Sequence, residues 1–537
     1  MLIRDVIQKM VKKAIEGAQK EGQLPPFVIP EIRIEHPAIA VHGDYTTTIA
    51  LPLAKIIGKN SREVAEIINL QLTTYNLQLI DRVEIAGPGF INFFLSEKFL
   101  RAEVTRVKKM GERYGNATIG RKKKIHLEFI SANPTGPLTL ANGRGGFTGD
   151  VLGNVLTRAG YTVRREYYVN NAGNQVRTLG ASVLAAVGEA PSDEKHYQGL
   201  YIKEWAIAHR NDISGKDVTV VGTQFAHDLL TTMIQPPIGR MGIRFDRWFL
   251  ESSLYEKNSA AITAALVMLK KKKMVYEKDG ATWFQTTKLG DDKDRVLMTS
   301  EGTPTYFLVD IAHYAVVLAE GWAQYINILG ADHHGYVPRA KAAATVLGYK
   351  QFDAIVMQMV RLMDSGKEVR MSKRRGTYVT MDDLLDDVPV DVARFFFLMY
   401  TTTTHMDFDL ALAKEQSRKN PVYSVQYAYT RLVNILKKTD GIMRTKVESP
   451  LAPAERALMV TLFRWPELLH DVAKSYEVHR LPAYALQLAD ILHAFYEQCR
   501  VMTDAGVDEK RRAIVETAAI VFRNLLQTMG VSHPEKM

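Results

Sequence analysis

Two segments of this 537-residue chain carry residue types suited to handling phosphate. The first is SANPTGPLTLANGRGG (131–146), a Gly/Pro-rich stretch between an apolar run and a helical pattern. A helix opening there offers unpaired N–H groups and the positive end of its dipole to an anion. Pro134, Gly136 and Pro137 hold the loop tight, and Gly143, Gly145 and Gly146 let backbone come close to a nucleotide. The second is RMSKRRGTYVTMDDLL (370–385), where Arg370, Lys373, Arg374 and Arg375 crowd a loop after a Ser365–Gly366 turn. Such a loop can clamp a triphosphate and neutralise charge developing on departing pyrophosphate. Alone, the first reads as a connecting loop and the second as a solvated basic loop. Two of them at the edges of one sheet point to nucleotide chemistry.

The elements that must position these segments are legible around them. KKIHLEF (123–129) alternates as a strand does, DVLGNVLTRAG (150–160) has helical spacing, and TVRREYYV (162–169) is strand-like again. That is a βαβ unit, the building block of a parallel, doubly wound sheet, which binds ligands at the carboxyl ends of its strands. Further strands are expected at YINILG (325–330) and AIVMQMV (354–360), with a largely helical insertion over about 185–300. Upstream, an opening helix ends near Gly22, and RVEIAGPGFINFFL (82–95) is strand-like but cut by a Gly-Pro-Gly turn. Downstream, four helical patterns are expected at 422–438, 454–475, 481–502 and 509–530. The division is 1–115, a small α+β unit; 116–415, the parallel-sheet domain; and 416–537, an all-α bundle.

Composition limits the setting. With 46% hydrophobic and 24% charged residues, a packed core is expected and disorder is not. Lys plus Arg exceed Asp plus Glu by 69 − 59, a net charge of +10, which suits a polyanionic partner as well as an ordinary solvated surface. One cysteine, Cys499, excludes an internal disulfide and a cysteine-type zinc site. No apolar run reaches the roughly 18 residues of a membrane span, and the amphipathic N-terminus shows no signal-peptide pattern. A cytoplasmic protein without membrane contact is expected.

The residues now match a family. SANPTGPLTLANGR resembles the first signature of class I aminoacyl-tRNA synthetases, and RMSKRRG their lysine-serine-lysine loop. The Asn-Pro-Thr-Gly-Pro-Leu lead-in and the Arg-Arg-Gly ending are similar to the arginyl branch. HGDYTTTIALPLAK (42–55), YYVNNAGNQV (167–176), GTPTYFLVDIAHY (302–314), GADHHGYVPR (330–339) and NPVYSVQYAYTR (420–431) extend the likeness along nearly the whole chain.

The resemblance implies a Rossmann-like catalytic domain between an N-terminal domain that meets the tRNA elbow and a helical anticodon-binding domain. It implies ATP-dependent formation of arginyl-adenylate, then transfer to the 2′-hydroxyl of the terminal adenosine of arginine tRNA. ATP with Mg²⁺, L-arginine and arginine tRNA are the expected ligands, zinc is not, and a monomer is expected. Thr139, Asn142, Arg370, Ser372 and Lys373 fall on the catalytic signatures. Pro134, Gly136, Gly143, Gly330, Asp332, His333 and Met371 fall on the ATP-binding positions. A guanidinium is a planar fork of donors with a permanent charge, so its pocket needs carboxylates. Glu128, Asn133, Tyr306 and Asp310 match the arginine-binding positions. Adjacent histidines such as His333 and His334 point to different sides, which favours a hydrogen-bonding role over metal ligation. For RNA, Phe90 and Asn92 match elbow-contacting positions. Tyr423, Gln426, Tyr427 and Arg431 share one helical face that matches the anticodon surface, and Met537 matches the family's ending there.

One departure stands out. The family's His-x-Gly-His reads Thr139-Leu140-Ala141-Asn142 here. Two readings follow: a synthetase-like tRNA-binding protein with impaired catalysis, or an active variant in which a hydroxyl and an amide replace the imidazoles as donors.

Overall fold

The Lys124–Glu128 strand lies at the centre of a five-stranded parallel sheet ordered Gln351–Val356, Gln324–Leu329, Lys124–Glu128, Thr162–Val169, Arg247–Leu250. This computed structural model describes residues 2–37, 39–74, 78–369, 380–446 and 449–537. The chain runs outward from Lys124–Glu128 through Thr162–Val169 to Arg247–Leu250, then crosses back to Gln324–Leu329 on the other side. The strand order therefore reverses beside Lys124–Glu128, and a crevice opens at the carboxyl ends of the two strands flanking that reversal. Glu128, paired with Asn327, lies at its floor, and the exposed Gly330 follows the neighbouring strand. Helix Leu140–Arg158 makes the crossover from Lys124–Glu128 to Thr162–Val169. It packs close because Gly149 faces the Phe129 ring, where a Cβ would come within 2.3 Å.

Three differences from the sequence expectations have local causes. AIVMQMV is not one strand: Gln351–Val356 stays in the main sheet, whereas Val360–Asp364 pairs with Met406–Asp409 and Lys367–Glu368 in a second sheet. The chain bends between them because Met357 N–H still bonds Leu329 while Gln358 N–H turns to Thr402. The stretch 185–300 is not one insertion, since Arg247–Leu250 is an edge strand of the main sheet. Before it, helices Gly173–Ala186, Leu200–Ala208 and Val218–Leu229 pack on a core of their own. After it, Val275–Lys278, Ala281–Phe284 and Arg295–Met298 form an antiparallel sheet. The expected helix 454–475 is two, Pro453–Phe463 and Trp465–Ser475, with Pro466 in the first turn of the second.

The N-terminal sheet orders Tyr45–Thr47, Phe90–Leu95 and Ile80–Ala86 antiparallel against helices Ile3–Lys20 and Ser61–Thr73. The C-terminal helices Pro421–Lys438, Arg480–Gln498 and Glu509–Met529 form the expected bundle, with a small sheet added at 444–445, 502–503 and 506–508. One buried core joins all three regions. Trp465 lies within it, and its indole N–H donates to the Tyr114 carbonyl at 3.1 Å.

Candidate active site

Thr139 caps helix Leu140–Arg158. Its hydroxyl accepts from Asn142 N–H at 3.4 Å and donates to Asn142 Oδ1 at 2.8 Å, and Oδ1 also accepts Thr139 N–H at 2.9 Å. This is a capping box made with Asn at its third position. It commits the Thr139 hydroxyl to the helix, but among the described residues nothing accepts from Asn142 Nδ2. Thr139 also forms an antiparallel bridge with Thr380, and Met381 N–H donates to the Leu138 carbonyl at 2.8 Å. Gly143 lies against Met381, where a Cβ would come within 2.1 Å of Sδ. Pro134 is buried, and Gly136 lies near Tyr201, whose hydroxyl donates to the Thr135 carbonyl at 2.7 Å. The expected catalytic or ATP-binding residues Arg370, Met371, Ser372 and Lys373 lie outside the described residues. On either side of them, the described residues are the hairpin Val360–Asp364 with Lys367–Glu368 and the Thr380 cap, which bridges to Thr139 of the first signature.

Arg144, two residues beyond Asn142, is fully buried. Its guanidinium donates to the carbonyls of Gln358 at 2.9 Å, Thr401 at 2.7 Å and Thr404 at 2.9 Å. Burial lowers its pKa to about 10, so it stays charged at neutral pH and holds the bend that separates the two sheets. Gly330 precedes the turn Ala331–Tyr336 beyond Gln324–Leu329, which holds Asp332 and His333, and Gly330 and Asp332 are exposed.

The crevice floor is acidic. Glu128 is 7% exposed, Glu251 4% and Asp310 8%. Each accepts from a tyrosine hydroxyl: Tyr325 for Glu128, Tyr168 at 3.2 Å for Glu251, and Tyr336 for Asp310. Among the described residues, no ion pair joins any of the three to a lysine, arginine or histidine. Burial raises the Glu128 carboxyl, with His313 pulling it partway back. Burial lifts Asp310 well above the usual carboxylate range, and Glu128 and Glu251 add to the rise. Burial also pushes Glu251 up to about 7. A site that buries three carboxylates with no ion-pair partner among the described residues suits a cationic ligand. Tyr306, one helical turn before Asp310, is half-exposed at the rim, and Asn133 Oδ1 accepts from Asn170 Nδ2 at 2.5 Å.

Glu251, Tyr336 and Tyr168 were not singled out in the sequence as pocket residues. Glu251 directly follows an apolar strand, as Glu128 nearly ends one, but RWFL (247–250) is too short to be read as a strand without its neighbour. Beneath the pocket, Glu166 Oε1 accepts from His313 at 2.6 Å and lies 3.2 Å from His126 Nε2. Burial alone would raise Glu166, yet His313 and His126 hold it well below the usual range. Burial pushes His126 down to about 4. Ligand atoms of His126, Glu128, Glu166 and His313 lie within 4.8 Å of one another, close enough to hold a metal ion. Within the cluster one hydrogen bond joins His313 to Glu166, while Glu128 accepts from Tyr325 and His126 Nδ1 from Arg164.

The expected RNA-contacting residues divide. Phe90 is 37% exposed, but Asn92 is buried and its Oδ1 accepts from Thr46 at 2.7 Å. The Tyr45–Thr47 strand, pairing Thr46 with Asn92, covers the amide expected at the surface. On helix Pro421–Lys438, the Tyr423 and Tyr427 rings are parallel to within 8°. The Arg431 guanidinium lies 5.3 Å from Tyr427 and 3.7 Å from Tyr496, a half-exposed ring missed in the sequence. Gln426 is engaged internally, donating to Asp391 at 2.9 Å and Ser532 at 3.1 Å, and so holds the C-terminal segment. Met537 is half-exposed.

A parallel sheet reversing beside Glu128, with a helix opening at that crevice and a helical bundle behind it, defines the fold of a class I aminoacyl-tRNA synthetase. Residues 103–394 match the family described as tRNA synthetases class I (R), catalytic domain. Residues 3–95 match the arginyl tRNA synthetase N terminal domain and 425–537 the DALR anticodon binding domain. The chain belongs to the arginyl-tRNA synthetase family. It is 40% identical to the arginine–tRNA ligase of Citrifermentans bemidjiense over 100% of both chains. It is 39% identical to that of Bacillus licheniformis over 100% of this chain and 99% of the other. A putative arginyl-tRNA synthetase from Campylobacter jejuni superposes with a TM-score of 0.74 at 29% identity, over 82% of this chain and all of that one. Thermus thermophilus arginyl-tRNA synthetase has the same fold over the full length of both chains, with a TM-score of 0.76 at 20% identity.

Proposed function

We propose that the chain is an arginine–tRNA ligase, and the observation that carries this is the buried carboxylate pocket beside the signature helix, which has no ion-pair partner among the described residues. The arginine carboxylate attacks the α-phosphorus of ATP, forming arginyl-adenylate as pyrophosphate leaves. The 2′-hydroxyl of the tRNA's terminal adenosine then attacks the arginyl carbonyl, and AMP leaves. Glu128 and Asp310 face the two cationic ends of arginine, Tyr306 covers its aliphatic stem, and Asn133 holds its backbone end. Asn142, whose amide N–H groups have no acceptor among the described residues, donates to the phosphates, while Thr139 holds it in place. Arg370, Ser372 and Lys373, with Met371 beside the nucleotide, act on the triphosphate from the loop after the hairpin. Pro134, Gly136, Gly143, Gly330, Asp332 and His333 line the nucleotide site.

ATP enters with Mg²⁺, and no zinc is required. The division into 1–115, 116–415 and 416–537 assigns tRNA elbow, catalysis and anticodon to successive regions, supported by the three family matches. Phe90 serves the elbow; Tyr423, Tyr427, Arg431 and Met537 serve the anticodon stem and loop. The protein works as a cytoplasmic monomer; no described helix is long and apolar enough to cross a membrane. The impaired reading is not favoured, because relatives at 40% identity over the full chain carry the ligase name. Incubation with ATP, arginine and arginine tRNA should yield arginyl-tRNA. No product above a Lys373→Ala control would overturn the assignment.

A further inference from the structure

The loop of the first signature runs from the end of the central strand to the Thr139 cap, and it is tied down along its length. At its start, the Tyr167 hydroxyl donates to the Ala132 carbonyl at 2.8 Å, and Asn170 holds Asn133. At its end, Met381 N–H holds the Leu138 carbonyl. These ties come from a strand of the main sheet and from the segment after the basic loop. The middle tie has another origin. Tyr201, on helix Leu200–Ala208, donates to the Thr135 carbonyl at 2.7 Å. The Thr135 side chain hydrogen-bonds the hydroxyl of Tyr197, just before that helix.

Both tyrosines belong to the helical unit that has a core of its own, and they pack against that core. The Tyr201 ring lies 6.2 Å from that of Phe225, and Tyr197 N–H donates to the Ser182 hydroxyl at 2.9 Å. The unit therefore fixes the tyrosines, and the tyrosines fix the loop. Stability alone does not require this tie. Thr135 and Tyr201 are half-buried, so water can serve the carbonyl and the hydroxyl if they part. What the tie sets is the loop's shape. Ile130 and Ser131 take left-handed backbone, at φ 65° and 40°, which residues with side chains keep only where neighbours hold them. Thr135 N–H closes a tight turn on the Asn133 carbonyl at 2.7 Å. Gly136 lies against Tyr201, where a Cβ would come within 3.1 Å of the hydroxyl.

We infer that Tyr201 is a positioning residue for ATP: through its hydroxyl, the helical unit holds the Thr135–Gly136 segment in the form that receives the nucleotide. This rests on the ligase reading, in which that loop lines the nucleotide site. A sharply bent loop ahead of a helix N-terminus presents backbone to a nucleotide only while it keeps its bend. A displacement of about 1 Å there misplaces the bound phosphates against the groups that act on them. Tyr201 touches neither substrate nor phosphate; it acts through Thr135.

The test measures arginine-dependent pyrophosphate exchange with tRNA present, on the full-length protein and its variants. Tyr201→Phe removes the hydroxyl and keeps the ring in its core. Its KM for ATP should rise about fivefold, the size of one net hydrogen bond, while the KM for arginine and the melting temperature stay near wild type. Tyr197→Phe should raise the KM for ATP less, giving a second measurement. Trp205→Phe removes the indole N–H that donates to Asp228 at 2.8 Å within the same unit, and should leave the KM for ATP unchanged. An unchanged KM for ATP in Tyr201→Phe overturns the inference. So does an equal rise in Trp205→Phe, which marks a general loosening of the unit, and so does an equal rise in the KM for arginine. If Gly136→Ala leaves the KM for ATP at its wild-type value, the loop does not line the nucleotide site. If the wild-type protein shows no exchange, the ligase reading itself fails. Both results are distinct from a failure at Tyr201.

Discussion

Thr139 and Thr380 face each other as an antiparallel bridge pair, and each caps a helix through its hydroxyl. The two phosphate-handling segments, more than 200 positions apart, are thereby joined at their helix starts. The relationship also divides the work of the altered signature. Thr139 is spent on the cap, while the Asn142 amide is held by its oxygen with its N–H groups left over.

The two positions should therefore respond differently to mutation. Asn142→Ala should lower kcat for pyrophosphate exchange by roughly 10²-fold, the size of losing one transition-state donor. Thr139→Ser keeps the cap and should remain near wild type. Thr139→Ala should cost about 1 kcal/mol of stability, read by urea unfolding. Equal kinetic losses in Asn142→Ala and Thr139→Ser would contradict this division.

Arg144 should be more costly to replace than its distance from substrate suggests. Arg144→Met removes a charged donor from three partly buried carbonyls and should destabilise the protein by about 3 kcal/mol. Arg144→Lys keeps the charge but cannot fork to three acceptors, and should fall between. Thermal unfolding gives the order; a melting temperature unchanged in Arg144→Met would refute the clamp.

Arginine binding should strengthen as pH rises from 6 to 8. The sign follows from the free pocket: Glu251 titrates at about 7 because burial disfavours its charge, with Tyr168 and His313 opposing. Asp310, lifted by burial, and Tyr255, lifted by burial and then by Glu251, face the same space. Below that pH the carboxyl is neutral and attracts the guanidinium weakly; above it the anion is present before ligand arrives. Binding at pH 7 should release protons, so calorimetric enthalpies in phosphate and Tris buffers should differ. Identical enthalpies in the two buffers would count against a protonated empty pocket.

The aromatic face of the C-terminal bundle should bind RNA by stacking. Tyr496→Ala and Arg431→Ala should each weaken tRNA binding in filter assays by about tenfold. Arg431→Ala should also flatten the salt dependence by about one unit of slope. Gln426→Ala should act differently, loosening the C-terminal segment with a lower melting temperature and a smaller loss of affinity. Tight binding retained in Tyr496→Ala would remove that ring from the surface.

Local order was readable from residue spacing. The strands at 124–128 and 162–169, the helix after the first signature, the hairpin at 82–95 and most bundle helices follow from alternation, helical period and turn residues. The long motifs carried the family. Breaks were harder: Pro466 marks the helix interruption near Arg464, but the bend after Val356 depends on Arg144, more than two hundred positions away.

What the sequence determined by itself was therefore the kind of element at each place and the reaction class its motifs serve, because backbone preferences and short spacings act within a few residues. Only the tertiary structure decided which side chains share a space. It covered Asn92 with a neighbouring strand, turned Gln426 to the C-terminal segment and set Glu251 beside Asp310 and Glu128. Burial and charge act through distance in space, and a carboxylate's neighbours across a sheet leave no periodic mark along the chain.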